Sequence, residues 1–197
     1  MLKLHFGCGS NKLNGWENID QEIDVRKALP YESNSVDFIF HEHLIEHLDE
    51  VDGYNFLHES YRILKPSGYL RISTPSFEGI AYCYQNWERV SPEFKQRHGS
   101  AIGFINNATF GQTVAYDGKR ISPTGEIITL QRGPEWHLYY YDKKDFKHKL
   151  TKIGFSKIVF VDKLQSEISE LRNLERRAID QFAFFPKELE VILEARK

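Results

Sequence analysis

Residues 2–20 read LKLHFGCGSNKLNGWENID, and the fold turns on this stretch. Leu2 to Phe6 is short, alternates apolar positions with Lys3 and His5, and runs straight into Gly7-Cys8-Gly9. That is the pattern of a strand ending in a tight loop. Trp16 to Asp20 reads as a second short strand that ends on a carboxylate. Glycines in such a loop let a ligand approach the backbone, and a carboxylate at the end of the next strand can accept hydrogen bonds from both hydroxyls of a ribose. A Gly-x-Gly pair alone is equally what an ordinary tight turn contains.

Only ten residues separate Gly9 from Asp20. This is too few for the full helix of a dinucleotide-binding unit, so no strong helix dipole is available to hold a pyrophosphate. The loop therefore suits a nucleoside-bearing ligand without a diphosphate, and elimination points to S-adenosylmethionine.

Outward from this loop, Val36 to Phe40 reads as a third strand, dense in β-branched and aromatic residues. From Leu44 to Lys65, Tyr54, Leu57, Tyr61 and Leu64 recur at three and four residues, which predicts a helix stopped by Pro66-Ser67-Gly68. Tyr69 to Ser73 is then a strand, with Pro75 against much continuation. Alternating strands and helices argue for a parallel α/β sheet that binds ligands at the carboxyl ends of its strands. Residues 76–136 lack clean periodicity and read as an insertion with one helix around Gly79 to Arg89. Asp142 caps a helix carrying Phe146, Leu150 and Ile153, Gly154 ends it, and Phe155 to Val161 is another strand. Leu189 to Ala195 reads as a last strand with Glu190 and Glu194 on a solvated face, an edge to which a second subunit could add.

Composition bounds the rest. The 197 residues fit a single domain, 1–197, with the insertion inside it. Lys and Arg number 26 against 28 Asp and Glu, a net charge of −2, which disfavours bulk nucleic-acid binding. Only Cys8 and Cys83 are present, and the N-terminus has no secretory leader pattern, so a cytoplasmic location is expected. No apolar run approaches the roughly 18 residues of a membrane span.

At this point the sequence resembles a known family. LHFGCG, GWENID, DVRKALPYESNSVDFIF, HLIEHL and YRILKPSGYL come in the order and spacing of class I S-adenosylmethionine-dependent methyltransferases. The similarity is to a short bacterial branch, methyltransferase type 11-like, with a GW-N-D second strand. It covers residues 2–75 well, 137–161 loosely, and the last strand. The resemblance implies a Rossmann-like α/β fold, mostly parallel with one antiparallel strand, and a lid insertion after the fifth strand of the family's order. It implies that Phe6, Gly7, Cys8 and Gly9 pass beneath the methionine part of the cofactor and that Asp20 binds its ribose. Asp24 and Val25 would flank the adenine, and His41, Glu42 and His43 would line the methionine and substrate side. The family's third loop glycine is missing, and Ser67 stands where a glycine is usual. The acceptor implied by the branch is a small molecule, a sugar or another hydroxyl compound.

Two further features carry chemistry. The run His41 to His47 contains H-x-x-E-H, a spacing some zinc peptidases use, so zinc hydrolysis is an alternative, although no metal is assigned. His137, ahead of Tyr139-Tyr140-Tyr141, is the first candidate for a general base, with His43 the second catalytic candidate, and His137 reads equally as a structural histidine. Cys8 reads as a small loop residue rather than a nucleophile. The insertion's aromatics, Tyr82, Tyr84, Trp87, Phe94, His98, Phe104 and Phe110, fit either a local mini-core or a lid. A non-catalytic protein that binds S-adenosylmethionine or another nucleoside is the competing reading, and in either case a monomer or homodimer is expected.

Overall fold

The computed structural model describes residues 1–105, 119–121, 127–129, 137–176 and 186–197. Its centre is a six-stranded sheet of order β2-β1-β3-β4-β8-β7. The strands are β1 (Lys3–Phe6), β2 (Glu17–Ile19), β3 (Val36–Glu42), β4 (Leu64–Pro75), β7 (Ser156–Phe160) and β8 (Glu190–Arg196). β8 runs antiparallel to both neighbours, and the pairings among β1 to β4 are parallel. Two short strands, β5 (Lys119–Ile121) and β6 (Ile127–Thr129), form a separate antiparallel ribbon. In register, Phe6 lies beside His41 and Glu42 beside Ser73, so the carboxyl ends of β1, β3 and β4 finish together.

Strand alternation sends Leu4, Phe6, Ile39, Leu70, Ile72 and Leu193 to one face of the sheet, where α1 (Glu50–Ile63) and α5 (Lys143–Ile153) cover them. α1 starts later than the periodicity predicts: Ile45–His47 is a 3₁₀ turn, Leu48 is extended, and Asp49 caps the helix by accepting from the Asp52 amide at 2.9 Å. Its inner face is Gly53, Phe56, Leu57, Ser60 and Ile63, one position off the tyrosine row. The shift lets backbone approach closely at Gly53, where a Cβ would lie 2.3 Å from Tyr141 Oη. Burying each of Phe56, Leu57 and Ile63 contributes about 1.5–3 kcal/mol. In α5, Asp142 accepts from the Asp145 amide at 2.7 Å, and Gly154 takes φ 121° past the C-terminus, as read.

The opposite face has no α-helix among the described residues, only a 3₁₀ turn at Ser169–Leu171. Leu13, Phe40, Leu171 and Leu174 pack there with Trp16, Phe38, Tyr69 and Ile168, supplied by the β1–β2 connection and the segment after β7. This overturns the solvated face expected for the last strand. Glu194 is 2% exposed, because it ion-pairs with the buried Arg71, whose Nε also donates to Glu175 Oε1 at 2.5 Å. β8 is therefore an inner strand, and the sheet's edges are β2 and β7. The edge reserved for a second subunit does not exist there.

The insertion follows β4. Its described part contains α2 (Phe77–Gln85), a 3₁₀ turn at Trp87–Arg89, α3 (Pro92–His98) and α4 (Ala101–Ile105). Ile80, Cys83, Val90, Phe94 and Phe104 form a mini-core that also takes in Leu189. Gly79 sets the contact with the main body: a Cβ there would fall 1.9 Å from the Glu188 carbonyl oxygen. Phe110 lies outside the described residues.

Candidate active site

The β1–β2 connection is built without a helix, and Asn18 replaces the hydrogen bonds a helix would make. Its Oδ1 accepts from the Leu13 amide at 2.8 Å, and its Nδ2 donates to the carbonyls of Leu13 and Trp16 at 3.0 and 3.1 Å. One side chain thus satisfies three backbone groups of the loop. Asn11 closes the other side, with Nδ2 donating to Glu42 Oε2 and to the Leu174 carbonyl, both at 3.1 Å.

Held this way, Gly7 and Gly9 take φ 63° and 47°. A Cβ on Gly7 would lie 3.1 Å from Leu44 Cδ1, so that position needs a glycine for conformation and for space. The Cys8 amide donates to the Ile19 carbonyl at 3.0 Å, and the Gly9 amide donates to Asp20 Oδ1 at 3.3 Å. Asp20, at the end of β2, is exposed. These residues fit the adenosyl end of S-adenosylmethionine: an accessible carboxylate for two ribose hydroxyls beside a backbone that a ligand can approach.

Other expected contacts are less open. Phe6 is fully buried against Phe56 and Tyr31, and Cys8 is buried as well. Arg26 takes both oxygens of Asp24, at 2.8 and 3.0 Å, and those hydrogen bonds push its carboxyl down to about 2. Val25 is buried beside it. His41 does not reach a ligand surface: it is 0% exposed on the helical face against Phe56, and burial drives its pKa down to about 3. Glu42 points to the opposite face, where Asn11 holds it.

At the carboxyl ends of β3 and β4 lies a second group of residues. His43 has φ 52°, and its ring stands between Glu46 Oε1 at 3.1 Å and Glu190 Oε1 at 3.3 Å. Burial opposes its charge, but the hydrogen bonds to Glu190 and Glu46 override burial and raise its pKa to about 10. The two carboxylates flanking His43 thus favour its cationic form. Glu46 is fully buried, and its other oxygen accepts from Thr74 Oγ1 at 2.8 Å. His137 Nδ1 is 2.8 Å from Tyr140 Oη, and its ring meets that of His47 edge to face. Burial lowers the His137 pKa against the pull of Glu46, leaving a neutral imidazole.

The H-x-x-E-H run therefore does not assemble as a zinc-peptidase triad. The positive φ of His43 turns its ring towards Glu190, while His47 turns to His137. Thr74, Tyr140 and Glu190 have no sequence signal of their own, since the fold alone brings them to this cluster. Asn18 was legible only as part of the GW-N-D strand.

Residues 10–72 match the family described as a methyltransferase domain. No curated protein matches the sequence. Among solved structures, a SAM-dependent methyltransferase from Thermotoga maritima, described as a possible histamine N-methyltransferase, is similar at TM-score 0.52 and 15% identity, over 100% of this chain and 82% of that one. A SAM-dependent methyltransferase from Archaeoglobus fulgidus gives TM-score 0.50 and 16% identity, over 99% and 85%. A possible exported protein from Bordetella parapertussis gives 0.50 and 14%, over 92% of this chain, which spans only 43% of that one. At such identities these likenesses speak for the fold. The strand order is that of a Rossmann-like α/β sheet, as in these structures, and residues 10–72, which begin just after the glycine loop, carry the match to the methyltransferase domain. Among the described residues no helix is long and apolar enough to cross a membrane.

Proposed function

We propose that the chain transfers a methyl group to a small-molecule acceptor, a sugar or another hydroxyl compound, bound between the glycine loop and the His43–His137 cluster. The observation that carries this reading is adjacency. Leu44 packs on Gly7 while its chain neighbours His43, Glu46 and His47 form the cluster, so the expected methionine end of the cofactor and a concentration of ionisable groups would share one wall. When bound, S-adenosylmethionine supplies a methyl group on a sulfonium, an electrophile whose leaving thioether needs no proton. The protein's task is alignment in a dry pocket. Asp20 would hold the ribose, Gly7 to Gly9 would run beneath the methionine part, and Asp24 with Val25 would border the adenine. A hydroxyl acceptor must lose its proton, and the neutral His137 offers a nitrogen lone pair where that proton would leave. Two cysteines in 197 residues, Cys8 and Cys83, are too few for a disulfide framework, which supports a reducing, cytoplasmic setting.

Calorimetric titration with S-adenosylhomocysteine tests the reading. Micromolar binding is expected, weakened at least about tenfold by Asp20→Asn, the loss of one charge-assisted hydrogen-bond pair. No binding, or equal binding by the variant, would overturn it.

A further inference from the structure

Glu46, His47 and His137 each bring one ligand atom to a common point, all within 4.8 Å of one another. Glu46 Oε1 is 4.0 Å from His47 Nε2, and the two imidazole rings lie with centroids 5.0 Å apart. We propose that these three side chains hold a divalent first-row transition metal ion of the Zn²⁺ kind, and that the ion binds and activates the acceptor's hydroxyl. The sequence assigned no metal, and its H-x-x-E-H spacing pointed to His43. The fold substitutes His137, ninety residues away from His47.

The donor set decides the class of ion. Two imidazoles and a carboxylate suit Zn²⁺ and its neighbours, whereas Mg²⁺ and Ca²⁺ favour oxygen ligands throughout. Three protein ligands leave a position of a four-coordinate ion open, the arrangement of catalytic rather than structural sites.

The groups that orient such ligands are already in place. Thr74 Oγ1 donates to Glu46 Oε2 at 2.8 Å, and His43 donates to Oε1 at 3.1 Å. A carboxylate oxygen has two lone pairs, so Oε1 can keep His43 while binding an ion. Tyr140 Oη stands 2.8 Å from His137 Nδ1, which occupies that nitrogen and leaves Nε2 as the ligand atom. Glu190, which also contacts His43, is paired with Lys163, whose Nζ lies 3.1 Å from Glu190 Oε2. Bonds of about 2.0–2.2 Å put the corners of a tetrahedral site about 3.3 Å apart. Closing to that size needs only the turning of two imidazoles at the surface, the His47 side chain being 24% exposed, around a Glu46 that stays fixed.

The acceptor role rests on the methyltransferase reading above. With the ion bound, His137 serves as a ligand in place of the base role proposed above, and an acceptor hydroxyl in the open position loses its proton to water at neutral pH, as metal-bound water does. Its O–H bond breaks, its electron pair forms the O–CH₃ bond, and the C–S bond breaks with its pair left on sulfur. The cationic donor becomes a neutral thioether, and the ion is unchanged. The acceptors selected are hydroxyl compounds.

The test is titration of metal-stripped full-length protein with Co²⁺, read by its visible d–d absorption, with Zn²⁺ as competitor. One Co²⁺ per chain, displaced by Zn²⁺, is expected. His47→Ala and His137→Ala should each weaken it at least 100-fold, Tyr140→Phe about 10–100-fold, and His148→Ala, on the exposed face of α5, should leave it unchanged. No saturable Co²⁺ binding, or binding that His47→Ala and His137→Ala leave intact, overturns the site. S-adenosylhomocysteine titration of the same protein keeps the two readings apart: with the ion bound and no nucleoside bound, the acceptor role falls. With the nucleoside bound and no Co²⁺, the site falls and the methyltransferase reading stands.

Discussion

On one face of the sheet, Leu4, Ile39, Leu70 and Leu193 meet two amphipathic helices; on the other, His5, Phe40, Arg71 and Glu194 meet segments with little regular structure. Helices satisfy their own backbone and need only present an apolar stripe. Irregular segments must have each buried amide and carbonyl satisfied from elsewhere. Asn18, Asn11 and the Arg71–Glu175–Glu194 group do this, with Arg71 Nη1 donating to the Gln165 carbonyl at 2.9 Å and Glu175 Oε2 accepting from the Leu164 amide at 2.9 Å. The irregular face is thus held by polar groups whose loss leaves charges and amides stranded, the helical face by area. The continuation of the glycine loop, through Asn11 and Leu13, packs on the irregular face, so ligand binding is expected to be coupled to that polar network.

The largest effect is expected at Arg71. Arg71→Leu leaves Glu175 and Glu194 buried without their counter-ion and should cost about 3–5 kcal/mol in chemical denaturation. Replacing all three groups by apolar residues of similar size should recover most of that loss. A full-cost triple variant would show that the network's role is more than mutual compensation.

On the helical face the corresponding weak point is His41, buried without a hydrogen-bond partner for either ring nitrogen among the described residues. Its folded pKa lies near 3, below that of the unfolded chain. The folded state therefore takes up fewer protons in acid. Stability present above pH about 6.5 is lost as pH falls towards 3, by up to about 1.4 kcal/mol per pH unit. Denaturation of wild type and His41→Leu from pH 7 to pH 4 should diverge in that direction, and parallel curves would show the imidazole to be satisfied in the fold.

Asn18→Ala comes next. It strands the loop's amide and carbonyls at the cost of about 1–2 kcal/mol, and it should also weaken S-adenosylhomocysteine binding although Asn18 touches no ligand position. A stability loss with unchanged affinity would uncouple the face from the site. The smallest effect belongs to Tyr141→Phe. The Tyr141 hydroxyl is buried without a partner among the described residues, so its removal should leave stability within about 0.5 kcal/mol or raise it. A clear loss by thermal melting would reveal a partner for that hydroxyl.

The two faces were also unequally legible in the sequence. Elements carrying local punctuation were read closely: Gly7-Cys8-Gly9 after a short strand, Asp142 and Gly154 at the two ends of α5. The misreadings concern partners distant in sequence. Glu190 and Glu194 looked solvated because alternation reports that one side of a strand is polar, not that an arginine 123 residues away neutralises it. The start of α1 was misplaced because Leu44 to Leu48 continue the apolar spacing while Asp49 alone marks the cap. At the site, the loop and Asp20 were visible as a motif. The meeting of Glu46, His47 and His137 is a product of the chain's return after the insertion, which no local pattern encodes.

The most direct test of the central claim is a crystal structure of the protein with S-adenosylhomocysteine. The account predicts both ribose hydroxyls on Asp20 and the homocysteine along Gly7 to Gly9, ending beside Leu44 and the histidine cluster. A nucleoside bound away from Asp20, or a homocysteine pointing away from that cluster, would contradict it.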